Sequence, residues 1–302
     1  MYTNLLTSGC SFTETLTFMN TPYSSTHKEA GYYNGRDRDH SEVMSELQPL
    51  IDQKSTCGRC GSWVPFLALE LGIPLKSVTN YAMGSQGNQM IARNIVHGVE
   101  ALLAKEVPVE DILVGVAWSG IDRGSSYSSI VGQNYFGEGS NKAKWMVNPV
   151  QFFEESERTV GWKIYNHHWA SSPNNWTLEP LHEDSRSYYN VYNETSTFAI
   201  ESAERIHWVQ EYLNGKGIDY FFTNMSKKAS IFGSDVDKIS ENHVRKTIEL
   251  IDRSKFCEYL GISEWQAKYF NMVDEHPSTY SSYMYVQDQI LPYLDKNYPT
   301  HT

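Results

Sequence analysis

The sequence predicts an α/β protein whose parallel sheet is covered by helices on both faces, and three observations predict it. Apolar runs of strand length alternate with stretches whose apolar residues recur at three- and four-residue spacing. One run, Ile112-Leu113-Val114-Gly115-Val116-Ala117-Trp118, is apolar throughout, as a strand buried on both faces of a parallel sheet must be. Finally, Ala199, Ile200, Ala203, Ile206, Val209 and Leu213 form a helical stripe that Asn214-Gly215-Lys216-Gly217 closes before the strand Ile218 to Asn224. Helix and strand alternating in this way mark a three-layer arrangement with the sheet in the middle.

Taken in order, Leu5-Leu6-Thr7 is the first strand and runs into Ser8-Gly9-Cys10-Ser11-Phe12-Thr13. Residues 20–60 are polar and rich in Ser, Tyr and charge, and read as an insertion. Trp63, Phe66, Leu67, Leu69 and Leu71 predict a helix ended by Gly72 and Pro74, and Ser77 to Ala82 predicts a short strand. Past the turn Met83-Gly84-Ser85-Gln86-Gly87-Asn88, Met90, Ile91, Ile95, Val99, Leu102 and Leu103 keep helical spacing. The central strand is Asp111 to Trp118. The stretch from about 120 to 197 has little periodicity, and a structureless loop of that length is improbable in a compact domain, so residues 124–197 read as a second insertion with some structure of its own. Tyr285 to Leu294 reads as a terminal helix packing back on the sheet.

Composition excludes several classes of function. The chain has 302 residues, 40% of them hydrophobic and 20% charged, enough to bury a sizeable core. A net charge of −11 without any basic run argues against nucleic acid and anionic membranes as partners. No apolar run approaches the roughly 20 residues that span a bilayer. Four cysteines are too few for a disulfide scaffold, and Met1 leads into a strand rather than a leader, so a reducing, cytoplasmic location is expected. The aromatic share is high at 13%, much of it in polar stretches around Tyr32-Tyr33, Tyr127, Tyr135-Phe136, Trp145, Trp162, Trp169, Trp176, Tyr188-Tyr189 and Tyr192. Such side chains suit stacking on sugar rings, and equally suit pinning loops to a surface.

Chemistry is expected at the carboxyl ends of the strands. Gly9 permits a sharp turn that could present Ser11 as a nucleophile beside backbone amides, although a serine there could also simply cap a helix. The turn from Asn80 to Asn88 can aim amides and the Asn88 side chain at a ligand. Trp118-Ser119-Gly120-Ile121-Asp122-Arg123 follows the central strand. Arg123 is placed either to hold an acidic group of a substrate or to pair with one of the chain's own carboxylates. Asp274-Glu275-His276-Pro277 precedes the last helix, where an imidazole flanked by carboxylates can act as general base.

These blocks resemble those of the SGNH hydrolases, the GDSL-type esterases and lipases. Gly9-Cys10-Ser11, the Asn80 to Asn88 turn, and Asp274 with His276-Pro277 match the family in order and distribution over almost the whole chain. The resemblance implies a flavodoxin-like fold in one domain, 1–302, with the two excursions as insertions. It implies a serine hydrolase without a cofactor: Ser11 as nucleophile, His276 as base, Asp274 orienting it, and an oxyanion hole from the amides of Ser11 and Gly84 and the side chain of Asn88. The expected substrate is an acyl ester of a small molecule or glycan, with Trp118, Ser119 and Arg123 as candidate contacts.

The pattern departs from the family in three places. Only Glu275 separates Asp274 from His276, where the family has two residues, so Glu275 is an alternative orienting acid. Ala117-Trp118-Ser119-Gly120 stands where the family carries Gly-x-Asn-Asp, so either Asn88 or Ser119 substitutes or the oxyanion hole lacks a donor. The glycine donor is Gly84 or the amide of Ser85. A binding module on the same fold and an O-acyltransferase using the same residues are the competing functions. Cys57-Gly58-Arg59-Cys60 lacks a second pair, and His167-His168 with His182 lack a spaced partner, so no metal site is expected at either.

Overall fold

The computed structural model describes residues 1–10, 12–13, 45, 48, 62–82, 86–128, 147–149, 161–165, 186–190, 194–234, 236–257, 261–269, 277 and 279–299. At its centre lie four parallel strands: β1 (Asn4–Ser8), β2 (Val78–Asn80), β3 (Ile112–Trp118) and β7 (Asp219–Asn224), the last strand along the chain among the described residues. The order across the sheet is β2-β1-β3-β7. Leu6 lies opposite Thr79 on one side and Val114 on the other, and Gly115 opposite Phe221. This order is compatible with the 2-1-3-4-5 order of flavodoxin-like sheets, and its direction of growth reverses between β1 and β3.

Side-chain alternation in the strands feeds two cores. On one face Leu5, Leu113, Ala117 and Phe221 pack on α1 (Trp63–Glu70) and on the C-terminal helices through Tyr285, Val286, Ile290 and Leu294. On the other, Leu6, Val114, Val116, Tyr220 and Phe222 pack on α2 (Asn88–Leu103) and α3 (Thr195–Lys216) through Ile91, Ile95, Val99, Ala203, Ile206 and Val209. β3 is therefore buried in both directions, which is why it carries no alternation. Val244 and Ile248 of α4 (Asn242–Glu249) extend the second core. Helix α3 stops at Gly217 in the left-handed region, φ 70°.

Between β3 and α3, the strands β4 (Gly124–Ser128), β5 (Val147–Pro149) and β6 (Gly161–Tyr165) form an antiparallel sheet of order β4-β6-β5, so this stretch does carry structure of its own. The C-terminal end is more broken than its periodicity predicts. After α5 (Ile262–Tyr269) come α6 (Thr279–Tyr285), a π-helical turn at Val286–Ile290 and α7 (Leu291–Asn297). Pro292, in the first turn of α7, has no N–H to give back to the preceding turn, so the ladder widens there instead of running through. No helix among the described residues is long and apolar enough to cross a membrane.

Candidate functional site at the carboxyl end of the sheet

The chain leaves β1 through a turn closed by the Thr13 amide donating to the Cys10 carbonyl at 2.9 Å. Thr13 anchors that turn. Its carbonyl accepts from Asn80 Nδ2 at 2.8 Å and Ser62 Oγ at 3.0 Å, and its hydroxyl accepts from Trp63 Nε1 at 3.3 Å. The end of β2 and the start of α1 are thereby tied to the exit from β1. Gly9 makes the turn possible, because a Cβ there would lie 2.4 Å from Thr13 Oγ1 and 3.1 Å from the Ala117 carbonyl.

The loop after β3 is fixed from two sides. From α2, Asn88 Oδ1 accepts the Ser119 amide at 2.8 Å, while its Nδ2 donates to the Ser119 carbonyl at 3.3 Å and to Ser202 Oγ of α3 at 3.1 Å. Gly87 lies against Arg123 so closely that a Cβ would stand 2.3 Å from the Arg123 carbonyl oxygen. From β7, Met225 N donates to Trp118 O at 2.7 Å and Ile121 N to Ala229 O at 3.0 Å. The 225–229 loop is itself held by Glu264 of α5, which accepts from Ser226 Oγ at 2.6 Å and from the amides of Lys227 and Lys228 at 2.8 and 3.2 Å. Burial works against ionisation of Glu264, but the Ser226 hydroxyl and those two amides outweigh it and leave its carboxyl below the ordinary range. Tyr189 completes the frame by donating its hydroxyl to the Asp122 carbonyl, with its ring edge-on to Phe198 at 5.9 Å.

Within this frame lie polar atoms that bond to nothing. Ser8 Oγ, both amide atoms of Gln86, Trp118 Nε1, Ser119 Oγ and Arg123 Nη1 are buried without a hydrogen-bond partner. Ser8 ends β1, Ser119 follows β3, and Gln86 and Arg123 flank the Gly87 contact, so the group straddles the β1–β3 reversal. Each such orphan costs on the order of 1–3 kcal/mol. Among the described residues Arg123 forms no ion pair.

Of the residues singled out in the sequence, Asn88, Trp118, Ser119 and Arg123 come together here. Asn88 is 3% exposed and has both amide hydrogens committed, so the oxyanion role expected of it would require breaking one of those bonds. The Trp118 ring belongs to the core, edge-on to Phe222 at 5.3 Å, and offers only its Nε1 hydrogen. Tyr189 is 4% exposed and pins a loop. Ser11, Gly84, Ser85, Asp274, Glu275 and His276 lie outside the described residues, as do Cys57, Cys60, His167, His168 and His182. No three potential metal ligands gather among the described residues. Thr13, Gln86 and Glu264 are the contributors that sequence reasoning did not single out. Thr13 and Gln86 sit inside the two turns it did mark, whereas nothing in Ser263-Glu264-Trp265 signals that its carboxylate holds a distant loop.

No family model, curated protein or solved structure matches this chain.

Proposed function

We propose that the chain is a serine esterase of the SGNH type, one domain over 1–302 with insertions at about 20–60 and 124–197, that hydrolyses an acyl ester. An acylated carbohydrate is the favoured substrate class. The observation that carries the reading is that the three stretches marked in the sequence, the exit from β1, the turn before α2 and the loop after β3, meet at the reversal of a parallel sheet, where ligands of open α/β sheets bind. Ser11 stands in the first of these, between Cys10 and the anchored Thr13.

In the proposed reaction His276, oriented by Asp274 or Glu275, accepts the Ser11 hydroxyl proton as the oxygen attacks the ester carbonyl. The amides of Ser11 and Gly84 hold the oxyanion. Collapse expels the alcohol, which takes the proton from His276, and water then enters by the same route to release the acid. The commitment of Asn88 to Ser119 and Ser202 leaves this oxyanion hole with two backbone donors.

Labelling with a fluorophosphonate, followed by peptide mapping of wild type and His276→Ala, tests the reading. Modification at Ser11 that drops sharply without His276 is expected. An intact, folded chain that takes up no label refutes it and favours a binding module on the same fold.

A further inference from the structure

We infer that Arg123, Gln86 and Ser119 bind the carboxylate of an anionic ligand, which makes the substrate of the proposed esterase an ester bearing a carboxylate. The substrate statement rests on the hydrolase reading, whereas the binding site does not. Arg123 is half-buried, its Nη1 lies buried without a hydrogen bond, and it forms no ion pair among the described residues, so that nitrogen is open to an anion from outside the chain. Gln86 is fully buried with neither amide atom paired, and Ser119 is 2% exposed with its hydroxyl free. A guanidinium hydrogen, an amide NH2 and a hydroxyl together match the planar acceptor set of a carboxylate, and Gln86 Oε1 remains to accept from a ligand hydroxyl.

The placement supports the same ligand. Helix α2 starts at this point on Gly87 with no side-chain cap and no acidic residue in its first turn, so its positive end is not neutralised by the chain. Gln86 and Arg123 flank a backbone contact that admits no Cβ, and the Ser119 backbone is gripped by Asn88, so the backbone that carries the donors is held in place before the ligand arrives. The net charge of −11 repels anions at long range, which leaves selection to this local cation. A single cation suits the one charge of a carboxylate better than the two of a phosphate.

Calorimetric titration with glutarate, with its neutral isostere glutaramide and with inorganic phosphate tests the site without any need for turnover. Glutarate is expected to bind, glutaramide to bind at least about 30-fold more weakly, and Arg123→Gln to weaken glutarate by a similar factor. Gln86→Leu is the second variant. Replacing an orphaned amide by an apolar side chain should raise thermal stability while lowering glutarate affinity, an opposition that a purely structural role for Gln86 would not produce. The inference is overturned by absence of glutarate binding, by equal binding of glutaramide, by phosphate binding more tightly than glutarate, or by indifference to both variants. Hydrolysis of 4-nitrophenyl acetate and of mono-4-nitrophenyl glutarate separates the two readings. Equal cleavage of both without glutarate binding sinks the carboxylate site and leaves the esterase. Glutarate binding with cleavage of neither keeps the site and sinks the esterase.

Discussion

Removing the Asn88 side chain is the sharpest test of how the loop after β3 is held. Asn88→Ala deletes three hydrogen bonds at once, two to the backbone of Ser119 and one to Ser202. Ser202 lies within α3, where its hydroxyl can turn to a carbonyl of the preceding turn, so its loss is small. Ser119 has no such recourse: its amide loses a 2.8 Å acceptor while the residue stays 2% exposed. An orphaned buried donor costs about 1–3 kcal/mol, which corresponds to opening of the loop about 5- to 140-fold more often. Amide hydrogen exchange read on the peptide that contains Ser119 should accelerate by a factor in that range. The 219–224 strand, whose bonds are untouched, serves as an internal reference. An unchanged rate at Ser119 in a folded protein would refute the view that Asn88 braces this loop, and would return its amide to the pool of donors free to face a ligand.

The other expectations concern neighbouring parts of the frame. Gly87→Ala places a Cβ 2.3 Å from the Arg123 carbonyl, and since Gly87 has φ −91° the cost is steric rather than conformational. About 1–3 kcal/mol of stability should go with it, seen as a lower thermal midpoint, together with weaker glutarate binding as Arg123 is pushed away. Thr13→Val keeps the shape of the side chain but leaves Trp63 Nε1 without its acceptor, so a loss of about 1–3 kcal/mol is expected, along with slower ester cleavage if the proposed nucleophile Ser11, two residues before Thr13 in the sequence, depends on this anchor. Glu264→Gln should destabilise the protein at neutral pH. The folded carboxyl titrates below its ordinary value of 4.5, so its contribution is full above that value and is lost as pH falls through the lower folded one. Denaturation midpoints of wild type and variant should accordingly converge on acidification, and a gap that persists unchanged in acid would contradict the assignment.

How much of this was legible in the sequence depends on the range over which each feature is determined. The run Ile112 to Trp118 and the stripes in Met90 to Leu103 and Ala199 to Leu213 are local patterns set by burial, and they recovered the sheet strands and their covering helices within a few residues. The π-helical turn before Pro292 escaped because apolar spacing in Val286, Ile290 and Leu294 is compatible with either ladder, and only the missing N–H decides between them. At the site, the turns were visible through Gly9, Gly84 and Gly87, whereas the role of each side chain within them was not. Asn88 and Gln86 stand two residues apart in one turn with near-identical chemistry, yet one has every amide hydrogen bonded and the other has none. That difference arises from the loop after β3, some thirty residues further along, and no local pattern encodes it.

The contrast between those two amides also says what this end of the sheet is built for. Stability alone would favour a leucine at position 86, since a fully buried amide without partners only subtracts from it. The same holds for the buried, unpaired Nη1 of Arg123 on a loop fixed by α2, β7 and Tyr189. A chain that invests Asn88, Thr13 and Glu264 in immobilising three loops, and then leaves polar atoms idle between them, has placed its stabilising and its costly residues side by side. The stabilising ones remove the entropy of ordering before a ligand arrives, and the costly ones gain their partners only when it does. On that division, ligand binding should stabilise wild type more than Gln86→Leu even though the variant melts higher when empty. Thermal midpoints with and without glutarate would show it: a shift of equal size in the two proteins would mean that Gln86 is idle in the complex as well.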